Sequence, residues 1–79
     1  MSIRDAVISQ IQLVAREQEK KLAVLTDDLV LLESGLDSLG FAIVVVRLED
    51  ELGIDPFSNN PEIPITLADF IRAYENAAK

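Results

Sequence analysis

The chain has 79 residues and a formal net charge of −7, from 14 acidic and 7 basic side chains, with no cysteine and no histidine. One domain is expected over residues 1–79, small enough to bury only about two-thirds of its unfolded surface, so its core must be compact and helical. Without cysteine there is no disulfide framework and no thiolate metal site, and without histidine the commonest general base and metal ligand are missing, which excludes most catalytic constellations. The N-terminus lacks a basic stretch followed by an apolar run, and no run approaches the roughly 20 residues that span a bilayer, so a soluble, cytoplasmic, monomeric protein is expected.

Ser2 can cap a first helix, with Asp5 favouring the positive end of its dipole. Ile3, Val7, Ile11 and Val14 recur at helical spacing, which predicts a helix from about Ser2 to about Lys20. From Lys21 to Asp37 the chain is irregular but not polar, punctuated by Leu22, Val24, Leu25, Leu29, Val30, Leu31 and Leu32. An ordered connection packed on the core is expected, and connections of this length in a compact domain usually serve function.

Asp37 suits an N-cap and Gly53 a left-handed stop, so a second helix is predicted over Ser38 to Leu52. Projected at about 100° per residue, Phe41, Val44, Val45, Leu48 and Leu52 form one apolar face. Leu39, Ala42, Ile43 and Val46 form a second, available to a partner. The β-branched run Ile43 to Val46 disfavours helix slightly, so packing must enforce it. Asp55-Pro56-Phe57-Ser58-Asn59-Asn60-Pro61 is turn chemistry, with room for a short helical turn near Pro61 to Ile63. Thr66 with Asp69 opens a last helix whose apolar face is Leu67, Phe70, Ile71 and Tyr74. Strand alternation is absent, and the fold class is all-α: three main helices in a small bundle, with room for a short additional one.

Between Val24 and Asp69 the only cation is Arg47, against ten acids that include Asp27, Asp28, Glu33, Asp37, Glu49, Asp50 and Glu51. Such a surface repels nucleic acid and anionic membrane and steers toward basic protein partners. The paired carboxylates have no aromatic pocket or basic partner that would tune one for acid/base work. No calcium loop with its spaced oxygens is visible, so no metal site is expected. There is no glycine-rich phosphate loop and no GxSxG elbow, and Ser38 has no histidine to activate it as a hydrolytic nucleophile. Ser38 is instead a hydroxyl at a helix start, where a phosphate ester would face free backbone N–H groups and the positive end of the dipole.

Glu33-Ser34-Gly35-Leu36-Asp37-Ser38-Leu39 resembles the attachment motif of acyl and peptidyl carrier proteins, in which the serine of Asp-Ser-Leu receives 4'-phosphopantetheine from coenzyme A. Leu48-Glu49-Asp50-Glu51-Leu52-Gly53-Ile54 resembles the acidic close of that family's second helix. The resemblance implies an acyl-carrier-like fold and no turnover of the chain's own. Ser38 would be the attachment residue, and Asp37 would assist a phosphopantetheinyl transferase. Leu39, Ile43 and Val46, with Glu49 and Asp50, would meet the transferase and the enzymes that load and unload an acyl cargo. Gly40 and Ile43 stand where fatty-acid carriers commonly have acids, and Arg47 adds a cation, which suggests a specialised carrier serving one pathway. An aminoacyl or peptidyl carrier, or an unmodified acidic helical interaction domain, are the alternative readings.

Overall fold

The computed structural model describes residues 2–57 and 64–78. Three α-helices lie among them, α1 (Ile3–Glu17), α2 (Ser38–Leu52) and α3 (Leu67–Ala77), with a single 3-10 turn at Leu31–Glu33 before α2. No helix among the described residues is long and apolar enough to cross a membrane. The helical turn expected near Pro61 to Ile63 lies outside the described residues.

α1 starts as its sequence dictates, with the Ser2 hydroxyl accepting from the Asp5 amide at 3.0 Å. It buries Ala6, Val7, Ile11, Val14 and Ala15 along one face. Its end comes at Glu17, short of the expected Lys20. Glu19 takes a left-handed backbone (φ 56°). The Lys20 amide then reaches back to the Ala15 carbonyl at 2.8 Å and the Glu19 amide to that of Arg16 at 3.2 Å. This bond pair is a Schellman stop, usually built on glycine, and here it is built on glutamate.

The connection from α1 to α2 is ordered by a few buried anchors rather than by all of its apolar residues. Leu31 and Leu36 are buried and Leu22 and Leu25 half-buried, whereas Val24 and Leu32 are exposed. Ser34 is the only buried polar residue among those described, its hydroxyl donating to the Leu31 carbonyl at 2.5 Å and lying 3.4 Å from the Leu36 amide that it accepts from. Gly35 (φ 114°) brings the chain so close to the start of the connection that a Cβ there would lie 2.3 Å from the Lys21 carbonyl oxygen. Only glycine fits both the angle and the approach.

Downstream, the same connection is tied to the entry of α3. The Leu31 amide donates to Ile65, Leu67 to Leu29 and Ala68 to Asp27, each at 2.9 Å. Val30 and Thr66 form an isolated bridge, and Arg4 of α1 pairs with Asp27. α3 opens with a capping box in which the Thr66 hydroxyl accepts from the Asp69 amide and the Asp69 carboxylate accepts from the Thr66 amide. Those bonds, together with the nearby Ile65 amide and Arg72, hold the Asp69 carboxyl below the usual carboxylate range. Leu67, Phe70, Ile71 and Tyr74 are buried, the face that the spacing predicts.

Candidate functional site

α2 presents its two sides to different surroundings. Gly40, Val44 and Leu48 are buried, and Phe41, Val45 and Leu52 are half-buried beside them. Ser38, Leu39, Ala42, Val46, Glu49 and Asp50 are exposed and share the opposite arc at 100° spacing. Four of the five residues expected to meet partners therefore lie on that outward arc, with Leu39 and Val46 each 64% exposed.

Ile43 departs from the expectation: it is half-buried and packs against the core. It sits one turn before Arg47, whose guanidinium pairs with Glu17 of α1 at 2.5 Å, so this flank meets α1 rather than solvent. Gly40 explains the close approach, since a Cβ there would lie 3.1 Å from Leu36 Cδ2 and 3.2 Å from Gln18 Oε1. Absence of an acid at Gly40 and Ile43 thus reflects helix packing as well as surface chemistry. The Arg47 hydrogen bond also holds the Glu17 carboxyl below its ordinary range and keeps the only cation of α2 directed at α1. Apart from Ser38, the outward arc carries only acids and apolar side chains.

Ser38 is the first residue of α2 and is exposed. Asp37 caps the helix, its carboxylate accepting from the Gly40 amide at 2.8 Å, while its carbonyl accepts from Phe41 at 3.1 Å. The cap leaves the amides of Ser38 and Leu39 with no carbonyl to reach inside the helix, at the end where the dipole favours negative charge. Of the other serines described, Ser2 is occupied as a cap, Ser34 is buried, and Ser9 is exposed but lies within α1 rather than at a helix start.

Beside Ser38 opens an apolar cleft of about 580 Å³. Ser38, Phe41, Ala42 and Val45 of α2 form one wall. The residues from Val30 to Leu32, with Pro64 and Ile65, form the facing wall, which the hydrogen bond from the Leu31 amide to the Ile65 carbonyl holds in place. Phe57 and Phe70 complete it, stacked with centroids 6.0 Å apart. The cleft's size is that of a small-molecule site. Sequence reading missed it because its walls come from segments far apart in the chain, although the long apolar connection was an available signal.

Behind the cleft, the Tyr74 hydroxyl is buried with no hydrogen-bond partner among the described residues. Burial first, and then the charges of Asp55 and Glu49, push it well above the ordinary phenol range, so it remains protonated and offers no base.

The fold and this site are those of a small helical domain with an exposed serine at a helix start and an apolar cleft beside it. A family model described as phosphopantetheine attachment site matches residues 5–77, and the chain belongs to that family. No curated protein and no solved structure matched the chain. Membership implies a covalently attached 4'-phosphopantetheine and a carrier role, with modifying enzymes such as phosphopantetheinyl transferases as the family's partners. The donor set suits such a group, since a phosphodiester at an exposed helix N-terminus gains from the dipole and displaces nothing buried.

Proposed function

We propose that the protein carries acyl intermediates as thioesters on a 4'-phosphopantetheine arm attached to Ser38, within a dedicated biosynthetic pathway. The observation that carries this reading is the exposed Ser38 hydroxyl standing on the lip of an apolar cleft. In the attachment step, supplied by the transferase, the Ser38 oxygen forms a bond to the phosphorus of coenzyme A that bears the pantetheine. The phosphoanhydride bond to the nucleotide breaks, adenosine 3',5'-bisphosphate leaves, and the serine proton passes to a base of the transferase. The arm, once attached, supplies the thiol that the chain's own sequence lacks.

What this chain contributes is position. Asp37 fixes the first turn of α2 and so the direction of the Ser38 hydroxyl. Leu39, Val46, Glu49 and Asp50 offer an approaching enzyme an apolar contact followed by paired acids, with no basic side chain of α2 in the way. An enzyme with an apolar surface next to its thiol channel, and basic residues beyond it, complements that arc.

The apolar lining of the cleft supports acyl rather than aminoacyl cargo. Its side chains are apolar apart from Ser38, and an ammonium group placed among them would lose water without gaining a partner. Each methylene that leaves water for such a surface contributes about 0.8 kcal/mol. The experiment is to treat the chain with a transferase and either octanoyl or alanyl coenzyme A, confirm the mass gain, and compare thermal unfolding. The octanoyl form is expected to melt above the form with an unloaded arm, and the alanyl form level with it. Equal melting of all three would contradict an acyl cleft.

A further inference from the structure

Of the three phenylalanines that line the cleft, Phe57 is held differently from the other two. Phe41, Ala42 and Val45 belong to α2 and Phe70 to α3, where it is buried. Leu31 and Ile65 are bonded to each other through the backbone. Phe57 belongs to no helix, follows the C-terminal end of α2 by five residues, and is only half-buried. Its ring rests on Phe70 at 6.0 Å with an interplanar angle of 13° and meets the edge of Tyr74 at 5.8 Å and 88°. Its amide donates to the Asp55 carboxylate at 3.2 Å, a local turn that aims the side chain back toward the bundle.

Ser38 stands at the opposite end of α2. A chain that enters the cleft beside Ser38 passes Phe41 in the first turn and, following Ala42 and Val45 along the helix, leads toward the end of α2 that Phe57 follows. The chain's three phenylalanines all line this cleft. Phe41 and Phe70 are tied into helices, and removing either opens the core. Phe57 also packs on Phe70 and Tyr74, but it is the one of the three rings outside any helix, so a change there alters the cleft without altering a helix.

We propose that Phe57 closes the far end of the cleft and sets the length of acyl chain that the protein shelters. This rests on the reading that Ser38 bears an acyl-loaded arm. The wall is rigid enough to act as a stop because the ring is stacked on a buried partner, yet it lies outside the helical frame. A chain that reaches it must turn back or leave its end in water.

The test uses the full chain and its Phe57→Ala and Phe57→Leu variants. Each is converted by a phosphopantetheinyl transferase with butyryl, hexanoyl, octanoyl, decanoyl, dodecanoyl and hexadecanoyl coenzyme A. Two quantities are read: the midpoint of thermal unfolding, and the rate at which hydroxylamine cleaves the thioester. In the natural chain the midpoint is expected to rise and cleavage to slow with chain length up to a limit. That limit moves to a longer chain in Phe57→Ala and by a smaller step in Phe57→Leu. Should Phe57→Ala not fold, the leucine variant, which keeps the position apolar, carries the comparison. The same limit in all the proteins, or no dependence on chain length in the natural one, overturns the proposal. Failure to gain mass at all would instead overturn the carrier reading beneath it, so the two failures are told apart by mass alone.

Discussion

The inward and outward sides of α2 are made from almost the same kinds of residue and do opposite things. Val44 inward and Val46 outward are two positions apart, one fully buried and the other 64% exposed. Hydrophobicity does not distinguish them; angular position does. A single apolar stripe is what a surface helix needs for its core. The second stripe, running from Ser38 through Leu39, Ala42 and Val46, is surplus to folding and is therefore available for binding. One helix thus holds the fold by one side and leaves the other exposed, so the proposed modification of Ser38 would not disturb the core.

Breaking the inward side should have the largest effect. Leu48 is fully buried, and Leu48→Ala is expected to cost about 2–5 kcal/mol in a urea titration, a large fraction of the stability of so small a domain. Next comes the connection that delivers the chain to Ser38. Gly35→Ala sets a Cβ against the Lys21 carbonyl at a backbone angle that alanine disfavours, and should cost about 1–3 kcal/mol by the same titration. A smaller change, of opposite sign, is expected at the end of α1: Glu19→Gly relieves a left-handed glutamate and should stabilise by about 1 kcal/mol. The outward side should register least in stability. Val46→Ala is expected to stay within about 0.5 kcal/mol of the natural chain while weakening binding to a loading enzyme, measured by titration calorimetry. A stability loss at Val46 as large as that at Leu48 would erase the distinction between the two sides.

Much of this was legible in the residues. Caps at Ser2, Asp37 and Thr66 and the stop at Gly53 announced all three helices, because each rests on a local bond between neighbours in sequence. The end of α1 was not legible, since its stop is built on Glu19 and nothing local marks a glutamate as left-handed. Ile43 was placed outward by a coarse division into two faces. Its burial depends on how closely α1 approaches, which Gly40 permits and which no helical projection of α2 alone contains. The place of Ser38 at a helix start was legible because the Asp37 cap is a local bond. The cleft was not, because Val30 to Leu32 meet Ile65 through the hydrogen bonds that tie the connection to α3, and Phe57 joins them by packing on Phe70 and Tyr74. Local chemistry reads from sequence; surfaces made by distant segments do not.

The claim on which the account turns is that Ser38 holds the arm, and mass spectrometry of the intact protein and of its peptides after treatment with coenzyme A and a phosphopantetheinyl transferase tests it most directly. The account expects the natural chain to gain one phosphopantetheine, carried on the peptide that contains Ser38. Ser38→Ala should melt close to the natural chain, because the hydroxyl is exposed and the Asp37 cap does not depend on it, and should gain no mass. A folded Ser38→Ala protein that still acquires the arm, or an arm found on Ser9 or Ser58 in the natural chain, would contradict it.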